Sequence, residues 1–318
     1  MTRMLLQWLV VAAGLAGLPP VLAQTPPAAA ITTAGEHRGT LVQGELTRLY
    51  RLHVPAGYDP ARPAPLLVAL HGGGGNMDFQ ANDRFYGLIS LAEREGVIVV
   101  FPNGYSRLPG GKLATWNAGA CCGAARDAGV DDVGFIRALV DRLKTQLAID
   151  PARVYATGMS NGAMMAYRLA CEAPDVFSAI AAVAGTDNTR HCSPGRAVSV
   201  LHIHARNDDH VLFGGGAGPA SVQASQITDY RSVPDTLARW RGLNGCTGPA
   251  RRVFDQPGPT GASCERHESC LDGRQVQLCV TETGGHSWPG GRKPRARSGA
   301  TSPSLSANDV MWDFFNRR

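Results

Sequence analysis

Charge is scarce in this chain. Asp, Glu, Lys and Arg make up only 18% of its 318 residues, below the roughly 25% usual for soluble domains. That shortage excludes a disordered polyelectrolyte, which needs many charges and few apolar residues. No sign dominates either: 31 basic residues are interspersed with 26 acidic ones for a formal charge of +5, so the basic patch of a nucleic-acid reader is missing. Beyond the N-terminus no apolar run approaches the ~20 residues of a membrane span. No paired CxxC spacing is available for a zinc site. No glycine loop ends in the Lys-Ser/Thr step that holds phosphate. Neither a metal nor an organic cofactor is implied.

What is abundant is glycine, 38 residues, on a 44% hydrophobic background. This is a turn-rich chain long enough to bury a substantial core. At the N-terminus Arg3 precedes an apolar stretch from Met4 to Gly17, then Pro19-Pro20 and Val21-Leu22-Ala23. This is the pattern of a signal peptide over residues 1–23, cleaved after Ala23, and it predicts a secreted or periplasmic protein. Residues 24–39, Pro/Ala-rich at first, read as a flexible leader, and 40–318 as one catalytic domain. Export gives the even cysteine count a meaning: Cys121, Cys122, Cys171, Cys192, Cys246, Cys264, Cys270 and Cys279 read as disulfides. The adjacent Cys121-Cys122 suits either a vicinal bridge or two separate bonds.

Short apolar runs bounded by turn residues predict buried strands at 65–70, 97–101, 154–157, 179–184 and 198–202. Imperfect alternation predicts an edge strand at 49–54 and a strand nearer an edge at 275–280. Helical spacing fills the gaps at 84–95, 133–147, 161–171 and 234–243. Asp131 or Asp132 is placed to cap the second of these, and Ser306 a final helix. Strand–helix alternation without internal repeats predicts an α/β fold with a mostly parallel, doubly wound sheet in a single domain.

The chemistry falls at strand ends. Gly158-Met159-Ser160-Asn161-Gly162 is a G-x-S-x-G between a predicted strand and a predicted helix, the context in which that turn lifts a serine hydroxyl above the sheet. A serine needs a base, and the base needs an acid, in the chain order Ser, acid, His. His286, in a Gly-Gly-His-Ser-Trp-Pro-Gly loop after the 275–280 strand, is the candidate base. His267, between cysteines in a polar stretch, reads as surface. Asp208, after the 198–202 strand, is preferred to Asp209 as the acid. His202, His204 and His210 surround it, but metal ligation needs a supporting shell, so packing or hydrogen bonding is the expected role. A developing oxyanion needs preorganised donors. The backbone N–H groups of Asn161 and of Gly73, with Gly74 as the alternative, supply them. Trp116 and Trp288 are candidate substrate-contacting residues, against a competing reading as core. The basic run 292–297 reads as a solvated loop.

The stretches 70–76, 102–104, 116–122, 131–133, 153–162 and 284–290 together resemble the extracellular polyhydroxybutyrate depolymerase and feruloyl esterase group of α/β-hydrolases. The resemblance covers roughly residues 40–318. It implies a serine esterase working through an acyl-enzyme, with Ser160 as nucleophile, His286 as base and Asp208 as acid. Hydroxyalkanoate esters are the first substrate reading, and feruloyl or acetyl esters of plant cell-wall sugars the second. A non-catalytic secreted binding protein is the alternative of another class. The chain departs from the group at Ala205-Arg206, where Gly-Thr is frequent, and lacks the linker and polymer-binding domain of many polymer-degrading members. The resemblance also suggests Cys171–Cys192, Cys264–Cys270 and Cys246–Cys279 as disulfides.

Overall fold

The structure, a computed structural model, describes residues 30–221, 229–293 and 300–317. The expected signal peptide and residues 294–297 of the basic run lie outside them. The apolar runs form the centre of a ten-stranded sheet. Strands β3 (Ala64–Leu70), β4 (Ile98–Pro102), β5 (Ile149–Met159), β6 (Ala179–Val183), β7 (Ser199–Ala205) and β10 (Val276–Thr281) run parallel, in the spatial order β4-β3-β5-β6-β7-β10. Every residue of β3, β4, β6 and β7 is buried, because helices cover both faces. Side chains alternate across the pleat. Leu66, Val68 and Leu70 enter one core with Ile136, Leu139 and Trp240, while Leu67 and Ala69 enter the other with Leu91, Met311 and Phe314.

Two antiparallel pairs extend this centre, and they correct three expectations. Residues 35–39 belong to β1 (Gly35–Gln43), which pairs along its whole length with β2 (Leu46–Val54). The leader expected over 24–39 therefore ends earlier, and β2 is not the edge. The polar sequence Glu36-His37-Arg38 hid this strand from periodicity, because neither face of β1 is fully buried. At the opposite side β8 (Arg251–Gln256) and β9 (Ala262–His267) cover β10, so β10 lies two strands in from the edge.

Two short helices, α1 (Met77–Gln80) and α4 (Gly123–Asp127), were not expected. The helix expected over 84–95 breaks at Gly87, whose φ of 63° is left-handed, into α2 (Asp83–Tyr86) and α3 (Leu88–Glu95). In α5 (Asp132–Gln146), Asp131 provides the cap by accepting from the Gly134 N–H. Asp132 instead pairs with buried Arg48 at 2.6 Å. The remaining helices are α6 (Asn161–Glu172), α7 (Val233–Leu243) and α8 (Ala307–Asn316), the last capped by Ser306. No helix among the described residues is long and apolar enough to cross a membrane.

All eight cysteines are paired, as Cys121–Cys122, Cys171–Cys192, Cys246–Cys270 and Cys264–Cys279. The first pair of the suggested set is present, and the other two exchange partners. The cause is register: Cys264 on β9 lies directly opposite Cys279 on β10, which leaves Cys246 to Cys270.

Candidate active site

Ser160 sits between the end of β5 and the start of α6 with φ 57° and ψ −124°, a conformation rarely adopted by a non-glycine residue. Close backbone approach forces this turn. A Cβ on Gly162 would lie 2.2 Å from the Leu70 carbonyl oxygen, one on Gly158 2.5 Å from the Gly162 carbonyl carbon, and one on Gly185 2.3 Å from the Ser160 oxygen. Only glycine fits at these three places, so the turn at Ser160 is clamped between the ends of β3 and β6. The Ser160 N–H bonds to the Val183 oxygen at 2.9 Å. Its hydroxyl faces a cleft of about 1190 Å³.

The glycine loop after β3 lies against this turn, with the Cβ position of Gly73 3.5 Å from Asn161 Cβ. The Gly74 N–H is used by the Ala114 oxygen at 2.8 Å. The N–H groups of Gly73 and Asn161 have no hydrogen-bond partner among the described residues. That leaves them available to a developing oxyanion, and it favours Gly73 over Gly74.

Trp116 is fully buried and lies outside the cleft lining. Its peptide N–H donates to Asn161 Oδ1 at 2.7 Å and its carbonyl accepts from Asn161 Nδ2 at 3.0 Å. Its indole N–H donates to the His71 oxygen at 2.9 Å. His71 in turn accepts from the Gly104 N–H through Nε2 at 2.9 Å, and its Nδ1 lies 2.8 Å from the Gly72 oxygen. Burial, with the nearby Arg48 charge, lowers the His71 pKa to about 4, so the ring is neutral and Nδ1 carries the proton. Trp116 thus ties the glycine loop to the start of α6 and does not line the cleft, which corrects the expectation for it and favours the competing reading as core. Trp288 does line the cleft, though it is itself largely buried.

On the other side, the loop after β7 carries Asp208 and the loop after β10 carries His286. Their closest contact is 2.9 Å, from His286 Nδ1 to Asp208 Oδ2, with Oδ1 at 3.1 Å. Asp208 Oδ1 also accepts from the N–H groups of His210 at 2.9 Å and Val211 at 3.0 Å. Burial alone would raise the carboxyl, but the His286 bond and charge, then His204 and the His210 amide, bring it below its ordinary value. Asp208 is therefore ionised, whereas Asp209 is exposed and bonds His210. Asn207 Oδ1 accepts from the Gly285 N–H at 2.9 Å and joins the two loops. Asp208, His210 and His286 lie close enough to suggest a metal. Nδ1 of His286 bonds Asp208 and Nδ1 of His210 bonds Asp209.

Ser160 and His286 line the same cleft, and the serine hydroxyl has no hydrogen bond among the described residues. Half-buried Phe79 and Phe85 form an aromatic wall backed by Tyr86 and Trp288, with ring centroids 5.3 to 5.8 Å apart. Arg292 and Lys293 stand at the rim. Sequence reasoning missed Phe79 and Phe85, because α1 and α2 are too short to show a period. It also missed the stacking of His210 on His286, 4.6 Å between centroids, although the Asp-Asp-His run was a visible signal.

A family model described as "Esterase PHB depolymerase" matches residues 48–227. NocK of Nocardia uniformis subsp. tsuyamanensis, an esterase by its name, is 35% identical over 303 residues, covering 91% of this chain and 84% of that protein. Feruloyl esterase C of Emericella nidulans is 33% identical over 227 residues, 68% of this chain and 77% of that one. Feruloyl esterase B of Piromyces equi is 30% identical over 73% of this chain, which spans 41% of that longer protein. Among solved structures, the acetyl xylan esterase from Aspergillus awamori superimposes with a TM-score of 0.57 at 16% identity, covering 88% of this chain and 98% of its own. With the parallel sheet above, that likeness gives the α/β-hydrolase fold. On these grounds the chain belongs to the PHB-depolymerase esterase family and is a carboxylic ester hydrolase.

Proposed function

We propose that this protein is a serine esterase that works through an acyl-enzyme on Ser160. The carrying observation is one cleft lined by Ser160 with an unbonded hydroxyl, by Gly73 with an unbonded N–H and by a histidine held by an ionised aspartate, with the unbonded Asn161 N–H next to the serine in the chain. Ser160 Oγ attacks the ester carbonyl carbon as its proton passes to His286 Nε2. The N–H groups of Gly73 and Asn161 receive the oxyanion. Collapse breaks the carbonyl–alkoxy bond, and His286 returns the proton to the leaving alcohol. Water then repeats the sequence on the acyl-enzyme and frees the acid and Ser160. Asp208 fixes the imidazole tautomer with Nδ1 protonated and offsets the imidazolium charge.

The aromatic wall of Phe79 and Phe85 supports a flat acyl group such as feruloyl, carried on a plant cell-wall sugar, over a hydroxyalkanoate. Hydroxyalkanoate oligomers, the first reading from the sequence, become the second here and keep the support of the family model. Export through the N-terminal segment is consistent with a chain whose eight cysteines are all paired. Initial rates on methyl ferulate and on soluble 3-hydroxybutyrate oligomers, with Ser160→Ala as the blank, test this reading. Faster ferulate release is expected. Faster oligomer cleavage overturns the acyl assignment, and undiminished turnover by Ser160→Ala overturns the serine mechanism.

A further inference from the structure

Behind the acid runs a row of buried polar side chains to which acyl transfer assigns no role. The Tyr167 hydroxyl on α6 lies 2.7 Å from His202 Nδ1 on β7. His202 Nε2 lies 3.0 Å from His204 Nδ1. His204 Nε2 lies 2.8 Å from the Val211 oxygen and 3.4 Å from Asp208 Oδ2. Tyr167 and both histidines are at most 1% exposed, and the two imidazole planes are nearly parallel, 8° apart, with centroids separated by 5.2 Å.

The direction of every bond in this row follows from its outer end. The Val211 carbonyl only accepts, so His204 Nε2 carries a hydrogen. Burial lowers the pKa of both His204 and His202, with His204 adding to the effect on His202, so each ring is neutral and has one N–H. His204 Nδ1 therefore accepts from His202 Nε2–H. His202 Nδ1 must then accept from Tyr167, whose hydroxyl keeps its proton because burial, and then the Asp187 charge, raise its pKa. Only this arrangement satisfies all three groups, and it ends with a hydrogen, not a lone pair, facing Asp208.

We propose that Tyr167, His202 and His204 form a one-directional donor chain that positions Asp208, linking α6, the helix that follows Ser160, to the loop that carries the acid. His204 acts on Asp208 in two ways. Its N–H faces Oδ2, and its bond to the Val211 carbonyl fixes the turn whose Val211 N–H holds Oδ1. The inference rests on the assignment of Asp208 as the acid. The other titratable or charged groups around this row are His286, His210 and Asp209 at the acid, Lys293 beyond Gly285, and the Asp187–Arg239 pair near Tyr167.

The test compares Tyr167→Phe, His204→Leu, His204→Gln and Asp208→Asn, with kcat, KM and the pH profile of kcat/KM measured per titrated serine. Tyr167→Phe keeps the ring beside Trp240 and removes only the terminal donor. A fall in kcat of about five-fold is expected, the effect of one hydrogen bond, with KM unchanged. His204→Leu is expected to lower kcat further and to move the acid limb to higher pH, because the Asp208 charge then acts on His286 alone. Gln retains an N–H near the position of Nε2, so His204→Gln is expected to restore the limb. A merely structural role would lower melting temperature and leave kcat per active serine and the limb unmoved, which overturns the proposal. If His204→Leu does not fold, an unchanged kcat in Tyr167→Phe overturns it alone. If Asp208→Asn keeps full kcat, the acid assignment fails and takes the proposal with it. If Asp208→Asn is inactive while the other variants match wild type, only the donor chain is refuted.

Discussion

The two sides of the cleft are built differently. The serine side is backbone against backbone: glycines at 158, 162 and 185 sit where a Cβ would meet a peptide atom at 2.2 to 2.5 Å, and the unbonded N–H groups of Gly73 and Asn161, the proposed oxyanion donors, are main-chain. The acid–base side is held by side chains: Asp208 meets His286 and Asn207 meets the Gly285 N–H, each across 78 positions of sequence, with His204 behind Asp208. The first is fixed by steric exclusion and tolerates almost no added volume. The second is fixed by charge and hydrogen bonds, and does not tolerate a change of donor or acceptor.

That contrast is open to direct attack. Asp208→Asn should leave the fold intact and lower kcat by about 10⁴, because the wrong imidazole tautomer is favoured. A small loss would mean that the acid side is not held by charge. Gly162→Ala is the converse, adding one methyl and no charge. It should cost at least ~100-fold in kcat, since a misplacement of about 1 Å at the nucleophile suffices, and it should also lower the melting temperature. A variant with normal activity and stability would contradict the steric account. Trp116→Phe removes the indole bond to His71 but keeps an aromatic ring, and about a ten-fold drop in kcat with unchanged KM is expected. A rise in KM alone would return Trp116 to the substrate pocket. Phe85→Ala should act oppositely, raising KM for methyl ferulate by roughly ten-fold through lost apolar contact while sparing kcat.

Acid acts first on buried histidines of both sides and only later on Asp208. His71 is held neutral by burial, with a pKa lowered from 6.5 to about 4. The unfolded chain therefore takes up this proton first as pH falls. Stability fully present above pH 6.5 is lost between 6.5 and 4, to the extent of about 3 kcal/mol. Burial of His202 and His204 acts in the same direction. Asp208 is lowered from 3.8, so its contribution is complete above that value and is lost only as pH falls through its folded pKa. Urea unfolding at pH 7, 5.5 and 4 should show a steady decline. A flat profile over that range would show that His71 is not buried in its neutral form.

The same contrast explains what could be read in the sequence. Steric exclusion leaves its mark as glycines at fixed offsets, so the turn around Ser160 and the loop 72–75 were legible from a few adjacent letters. So were the parallel strands, since burial on both faces yields short, wholly apolar runs such as 65–70. Asp208 and His286 were legible only by order and by strand ends, because nothing local encodes a contact 78 positions away. The edges were not legible: β1 and β8 carry charged residues and His on faces that are nowhere fully buried, and β9 buries Arg266 in line with Ala262 and Cys264, so apolar periodicity is absent. The disulfides failed for a related reason, since Cys264 finds Cys279 through the register of β9, a strand the periodicity did not reveal. Trp116 was misread because a large aromatic near a glycine loop suits a pocket and a core equally, and only its bonds to Asn161 and His71 decide between them.

The most direct test of the account is mass analysis of the enzyme quenched during turnover of methyl ferulate, with the modified peptide sequenced. A feruloyl mass on Ser160, absent from Ser160→Ala, is the predicted result. Continued turnover by Ser160→Ala, or an acyl group found on another residue, would contradict it.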